Sequence, residues 1–305
     1  MRIVFMGTPD FAAASLQALL DAGHDIAAVV TRADKPANRG HKMQKPPVKI
    51  LAEEYNIPVL QPSSMRTAEI EAELRSYDPD ILVVVAYGRI LPKNILTLAP
   101  HGSINVHASI LPLYRGPAPV QSALLNGDAE TGVTIMHMAK ELDAGDIIDQ
   151  VTTPIDPDEF VEQVHDRLAQ LGGELLVKVV ADIAAGTAKR TPQDPAQVTF
   201  APMLSRELCP IDWTQSAKRI HDKVRGLVPW PATSTDCFTA EPVKVFRVTE
   251  TGVSTDKEPG TVVSAGKDGI DVACGDGKVL RILELQAPGS RRMAAADYLR
   301  GHPIG

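Results

Sequence analysis

The 305-residue sequence predicts an α/β protein, a Rossmann-like, mainly parallel sheet followed by a small C-terminal β-barrel of OB-like type. Three observations lead there. Short apolar β-rich runs alternate with helical patterns through the first half, the mark of a parallel sheet with helices on both faces. Toward the C-terminus short β-rich runs recur between turn signals such as Lys267-Asp268-Gly269 and Gly275-Asp276-Gly277. The chain also exceeds what one hydrophobic core usually organises. The expected division is a first domain over residues 1–189, a linker over 190–206 and a second domain over 207–305.

Taken in order, Arg2 to Met6 reads as the first strand. Thr8 is placed to cap a helix that Pro9 opens and that runs to about Ala22, because proline at the first helical position gives up no bonded N–H. Asp25 to Thr31 is a strand, Pro46 or Pro47 opens a helix to Tyr55, Ile57 to Leu60 is a short strand, and Ala68 to Ser76 is helical. Ile81-Leu82-Val83-Val84-Val85 has no polar face, as a strand covered on both sides requires. Gly102 to His107 is the next strand and Pro119 to Leu125 a helix. Thr131 to Met138 and Ile147 to Ile155 then read as strands joined by a loop around Asp143, an antiparallel addition to the sheet. Glu159 to Ala185 places Val161, Val164, Leu168, Leu171, Leu175, Val179 and Ile183 near one helical face. The Pro-, Thr- and Gln-rich stretch that follows lacks periodicity. Gln215 to Gly226 is helical, and Val243–Val248, Thr261–Ser264, Ile270–Cys274 and Val279–Leu285 are the strands of the barrel.

Composition narrows the class. A content of 44% hydrophobic and 23% charged residues is ordinary for a globular protein, and no apolar run approaches a bilayer span. Met1 to Gly7 starts directly as strand and turn without a signal-peptide pattern, so the expected location is the cytoplasm, with no membrane partner. Cys209, Cys237 and Cys274 lack paired spacing, which argues for reduced thiols and against a disulfide framework or a zinc site. The net charge of −7 falls wholly within residues 1–190, while the remainder is balanced. Against that background, Arg32, Lys35, Arg39, Lys42, Lys45 and Lys49 cluster around a single Asp34, and Lys218, Arg219, Lys223 and Arg225 share a helix with Asp222. Either patch taken alone reads as a solvated basic face.

The first turn excludes a common use of this fold. Dinucleotide binding needs G-x-G-x-x-G after the first strand so that backbone can approach a pyrophosphate. Here Gly7-Thr8-Pro9-Asp10-Phe11 lacks the later glycines, and Pro9 removes an N–H. Asn105-Val106-His107, by contrast, ends a sheet strand, where open α/β sheets hold their ligands. Alternation points both side chains the same way. Asn supplies two N–H donors, and imidazole donates, accepts or carries a proton near neutrality. Each residue alone is equally well a structural hydrogen-bonding group, and Asp143 alone reads as a loop-capping carboxylate beside Gly145 and Asp146.

Together the motifs are more specific. Gly7-Thr8-Pro9-Asp10-Phe11-Ala12, Ala86-Tyr87-Gly88, Ile104-Asn105-Val106-His107, Ser109-Ile110-Leu111-Pro112, Tyr114-Arg115-Gly116, Leu142-Asp143-Ala144-Gly145-Asp146 and Pro229-Trp230-Pro231 follow in order and spacing. In these the chain resembles the methionyl-tRNA formyltransferase family over essentially its whole length. The Asn-x-His pair with the later Asp is shared with relatives that use 10-formyltetrahydrofolate on glycinamide ribonucleotide or sugar nucleotides. The opening motif, the basic loop and the barrel favour the tRNA enzymes. A catalytically silent RNA-binding module on the same fold is the alternative from another class.

The resemblance implies formyl transfer from 10-formyltetrahydrofolate to the α-amine of methionyl-initiator tRNA by a monomer, with no metal. Asn105 and protonated His107 would donate to the oxygen that gains negative charge, a contribution of roughly 100- to 1,000-fold per donor. Asp143 would hold His107 as imidazolium and help move the amine proton to N10 of the folate. The folate would lie along Ser109, Ile110, Leu111 and Pro112, whose backbone groups would meet the heterocycle, with Tyr87, Gly88 and Ile90 lining the pterin pocket. Arg39, with Lys42, Lys45 and Lys49, would reach the acceptor stem, giving salt-dependent affinity, and the C-terminal barrel would bind tRNA as well. Ala144 replaces the usual Thr beside Asp143; Leu113, Pro117 and Met203 also depart from the family's pattern.

Overall fold

The computed structural model describes residues 1–37 and 42–304, in two compact units. The first comprises Met1–Pro119, Thr131–Thr153 and His165–Ala201. In chain order the elements up to residue 184 are β1 (Arg2–Gly7), α1 (Asp10–Asp21), β2 (Asp25–Val30), β3 (Lys35–Ala37), β4 (Lys42–Gln44), α2 (Pro47–Glu54), β5 (Val59–Leu60), α3 (Ala68–Ser76), β6 (Ile81–Val85), α4 (Lys93–Leu96), β7 (Ser103–His107), α5 (Pro119–Asn126), β8 (Glu130–His137), β9 (Ile147–Pro154) and α6 (Val161–Ala184), of which α5 beyond Pro119 falls in the second unit. Seven strands form one sheet in the order β5-β2-β1-β6-β7-β8-β9. The pairings from β5 to β7 are parallel and β7–β8 is antiparallel. The mainly parallel sheet with an antiparallel addition is therefore present.

Strand order places the site. From β1 the chain moves outward to β2 and β5, then returns to β6 on the other side of β1, so the topological switch lies between β1 and β6. The C-terminal ends of those strands carry Gly7-Thr8 and Ala86-Tyr87-Gly88, with β7 next in line. Every residue of β6 is buried, as its unbroken apolar run requires. At Gly7 an added Cβ would stand 2.7 Å from Ala12 Cβ, so glycine permits the close strand-to-helix turn. Helix α1 buries Phe11, Leu16 and Leu19 on one face. It ends in a Schellman turn, with Gly23 at φ +76°, its N–H bonding to Leu20 O and the His24 N–H to Leu19 O. Thr8 does not cap this helix. Pro9 occupies the cap position, and the Thr8 hydroxyl donates instead to Tyr87 O at 3.2 Å, joining the two loops at the switch point.

The second unit comprises Val120–Glu130, Pro154–Val164 and Pro202–Gly305. It contains α7 (Ala217–Leu227), β10 (Thr233–Thr235), β11 (Val243–Ser254), β12 (Val262–Gly266), β13 (Gly269–Ala273), β14 (Lys278–Gln286), β15 (Met293–Ala294) and α8 (Ala295–Gly301). Its strands make an antiparallel sheet in the order β10-β11-β14-β13-β12, with β15 beside β14. The core is built from Trp213, Ile220, Val224, Val245, Ile270, Val272, Leu280 and Ile282. Ser216 caps α7 by accepting from Arg219 N at 3.2 Å.

The basic patch on α7 is only in part a solvated face: Lys218 and Arg219 are exposed, whereas Arg225 is buried. Arg225 is 2% exposed, bonds to Asp222 at 2.8 Å and donates to the carbonyls of Asp156 and Glu159. Lys218 is paired with the same carboxylate, Lys223 donates to Pro210 O, and Arg219 donates to Leu125 O. A buried charge such as that of Arg225 requires such partners.

Candidate active site

Residues Asn105 and His107 project from the same face of β7, two positions apart. Asn105 pairs with Val84 on one side and Met136 on the other, while His107 faces Thr134. The His107 ring is buried, at 6% exposure. Its Nε2 lies 2.9 Å from Tyr114 O and its Nδ1 3.7 Å from Asp143 Oδ2. A carbonyl only accepts, so Nε2 carries the hydrogen and the neutral ring presents a bare Nδ1 toward Asp143. Protonation would turn that contact into an ion pair. The Asn105 amide is half-buried and has no hydrogen bond among the described residues, which leaves its N–H groups open to a ligand.

Asp143 sits in the left-handed region at φ +48°, a conformation that Asp tolerates better than most residues. Its Oδ2 accepts from Gly116 N at 2.8 Å. Tyr114 and Ala86, at φ +62° and +44°, are further non-glycine residues in this region, both in loops bordering the site. Such conformations cost on the order of 1–3 kcal/mol each and persist where the surroundings over-determine them. Gly145 shows the constraint directly, since an added Cβ would lie 1.7 Å from the His137 carbonyl oxygen. The loop is also held from outside: Gln193 Nε2 donates to Asp143 O and Gly145 O, both at 2.8 Å. Rigidity at Ala144 therefore needs no side-chain hydroxyl at that position.

The Ser109–Pro112 turn is organised by one hydroxyl. Thr134 Oγ1 donates to Ser109 O at 2.7 Å and accepts from Leu111 N at 3.1 Å and from Gln150 Nε2 at 2.8 Å. Gln150 also donates to Leu111 O, Ser109 Oγ to Leu113 O, and Thr199 N to Pro112 O. Of the backbone groups expected to meet a heterocycle, Ser109 O, both groups of Leu111 and Pro112 O therefore already have internal partners. Ser109 and Leu111 are buried, while Ile110 is partly exposed.

The Tyr87 ring is buried in the core with its hydroxyl on Met65 Sδ at 3.2 Å, and burial raises its pKa. That side chain is enclosed in the core, leaving the loop's backbone and the exposed Ile90 at the surface. Gly88 takes φ +75°, and its carbonyl accepts from Arg32 at 3.2 Å.

Of the basic loop, Arg39 lies outside the described residues, as does the side chain of Lys42. Lys45 pairs with Glu53 at 2.6 Å. Lys49 bonds both oxygens of Asp34 and Gln61 Oε1, each at 2.9 Å. The phosphate-neutralising role expected of Lys49 is corrected: its charge is already matched inside the protein.

An open cleft of about 310 Å³ borders the start of β7 and the end of α6, lined by His101, His137 and Arg190 among others. Burial, and then the Arg190 charge, lower the His137 pKa. Asn105, His107 and Asp143 are all absent from its lining, so this cleft and the polar constellation are different places. Sequence reasoning missed Thr134, Gln150, Gln193 and Thr199.

Two family models divide the chain: formyl transferase over residues 1–180 and formyl transferase, C-terminal domain, over 203–303. A mainly parallel sheet bearing this constellation, followed by an antiparallel C-terminal unit, thus defines a class, the formyl transferases. The methionyl-tRNA formyltransferase of Trichlorobacter lovleyi is 47% identical over 304 residues, covering 99% of this chain and 95% of that protein. That of Moorella thermoacetica is 48% identical over 304 residues, with coverage of 100% and 97%. The chain belongs to the methionyl-tRNA formyltransferase family. Among solved structures, the N-formyltransferase from Helicobacter canadensis in complex with folinic acid and dTDP-3-aminofucose superimposes with a TM-score of 0.68 at 18% identity, covering 92% of this chain and 98% of that one. At that identity the likeness speaks for the fold.

Proposed function

We propose that the protein transfers the formyl group of 10-formyltetrahydrofolate to the α-amino group of methionyl-initiator tRNA, giving N-formylmethionyl-tRNA for translation initiation, as a cytoplasmic monomer. The observation that carries this reading is the His107–Tyr114–Gly116–Asp143 constellation at the end of β7, in a chain with close relatives of that name along its whole length. No helix among the described residues is long and apolar enough to cross a membrane.

In this reading Asn105, His107 and Asp143 act at the reacting atoms. The amine attacks the formyl carbon, the formyl oxygen gains negative charge, and collapse of this tetrahedral adduct breaks the bond from carbon to N10 and releases tetrahydrofolate. Asn105, whose side-chain N–H groups have no partner among the described residues, donates to that oxygen, and an imidazolium at His107 adds positive charge beside it. Asp143 stabilises that imidazolium and assists transfer of the amine proton toward N10. The folate lies along Ser109, Ile110, Leu111 and Pro112 beside Tyr87, Gly88 and Ile90, with backbone contacts from the Tyr87–Gly88 loop. Arg39, Lys42 and Lys45 contact the acceptor tRNA, with Lys45 exchanging Glu53 for phosphate, and the C-terminal unit supplies further tRNA contacts.

The deciding experiment supplies 10-formyltetrahydrofolate with methionyl-initiator tRNA, glycinamide ribonucleotide or a dTDP-aminosugar, and measures formylated product. Turnover confined to the tRNA is expected. Preference for either small acceptor would overturn the acceptor assignment, and no turnover with any would overturn the enzymatic reading.

A further inference from the structure

We propose that Gln193 is the positioning residue for Asp143, fastening the loop that carries the carboxylate to the turn that orients His107. The inference rests on the reading that Asp143 and His107 act at the reacting atoms. A side-chain amide has two N–H donors and an oxygen with two lone pairs. At Gln193 all are engaged. Nε2 donates to Asp143 O and Gly145 O, both at 2.8 Å, while Oε1 accepts from Arg115 Nε at 3.0 Å and Nη2 at 2.7 Å.

Arg115 stands between the two residues that touch His107 and Asp143. Tyr114 O receives His107 Nε2, and Gly116 N donates to Asp143 Oδ2. The bonds therefore close a ring from imidazole to turn, through Arg115 and Gln193 to the Asp143 backbone, and back through the carboxylate. Rotation of the Gln193 amide would break four bonds at once. Its own backbone is anchored too, because Thr191 exchanges both hydrogen bonds with Ile147, and Thr199 and Ala201 bond with Arg115 further along the segment. Thr199 Oγ1 additionally accepts from Tyr114 N at 2.8 Å.

A loop staple with no bearing on chemistry would affect stability alone. A residue that sets the carboxylate position affects the chemical step, and displacement of an acting group by about 1 Å can cost roughly 100-fold in rate. Gln193→Glu separates these roles, since it keeps the oxygen that Arg115 needs and places an acceptor against the Asp143 and Gly145 carbonyls. The full-length protein is assayed with 10-formyltetrahydrofolate and methionyl-initiator tRNA, alongside Gln193→Ala, Asp143→Ala and thermal melting.

Gln193→Glu should remain folded and lose roughly 10- to 100-fold in kcat, with KM for both substrates changed by less than about 3-fold. Wild-type kcat in folded Gln193→Glu, or an effect confined to KM, overturns the role of Gln193. Full turnover in folded Asp143→Ala overturns the site reading itself, and is read independently of Gln193. Should Gln193→Ala fail to fold, Gln193→Glu carries the comparison.

Discussion

Asp143 Oδ2 stands 3.7 Å from His107 Nδ1, while the other ring nitrogen of His107 is committed to Tyr114 O at 2.9 Å. With Nε2 fixed as the donor, two acceptors face each other across the longer gap when the ring is neutral. In the proposed reaction the carboxylate would therefore bear on His107 through charge rather than through a hydrogen bond to the neutral ring. Asp143→Asn isolates that charge, because the amide oxygen still accepts from Gly116 N. Formyl transfer should fall by roughly 100- to 10,000-fold, the usual range for losing a group that assists proton transfer. Asp143→Ala should fall at least as far, since it also abandons Gly116. Comparable turnover in Asp143→Asn and wild type under saturating substrates would remove charge from the mechanism.

The hydroxyl of Thr134 is fully used, donating once and accepting twice. Thr134→Val preserves shape but strands Ser109 O and Leu111 N in a buried place. Each stranded group costs about 1–3 kcal/mol, and the distortion falls on the turn assigned to the folate. The variant should show raised KM for 10-formyltetrahydrofolate with a smaller change in kcat, whereas Thr134→Ser should behave like wild type. Steady-state kinetics on both variants test the point, and equal KM values in wild type and Thr134→Val would detach this turn from the folate.

Local patterns carried much of the fold. The unbroken apolar run of β6 needed both faces covered, α3 spans the residues its spacing indicates, and β7 ends at His107 as its pattern indicates. What escaped was held by isolated long-range bonds. Gln193 lies in a stretch without periodicity, yet reaches the Asp143 carbonyl 50 residues away. The Thr8 hydroxyl found a loop carbonyl 79 residues on rather than its own helix, a choice invisible to cap statistics. Arg225 read as a surface charge because nothing local announces that Asp222 will accompany it inward. Strands β10 and β15 are too short for alternation to register.

Cys274 is buried, and desolvation pushes its thiol up to about 11, with Asp276 adding to the shift. Burial likewise raises the Cys237 thiol. A raised pKa leaves little thiolate, the reactive form, at neutral pH. Alkylation of the native protein at pH 8 should therefore spare Cys274, and denaturation should expose it to complete labelling. Peptide mass spectrometry after timed iodoacetamide treatment reads this directly. Rapid native labelling of Cys274 would show that β13 and its surroundings open far more readily than their packing indicates.

The Asp222–Arg225 pair gives the second unit an acid-sensitive joint. Burial raises the Asp222 pKa, but hydrogen bonds with His221, Lys218 and Arg225 outweigh that effect and hold it at about 2. An unfolded aspartate titrates near roughly 3.9. The folded value is the lower one, so the contribution is fully present above about pH 4 and is lost as pH falls toward 2. Both tryptophans, Trp213 and Trp230, belong to this unit, which makes their fluorescence a local reporter of urea unfolding. Stability followed this way should decline between pH 4 and pH 2. Asp222→Asn leaves Arg225 buried without its carboxylate, a loss of about 3–5 kcal/mol at neutral pH. The variant should also show a shallower decline across the acid window, because the group that titrates there is gone. An undiminished acid slope in Asp222→Asn would assign the sensitivity to other carboxylates.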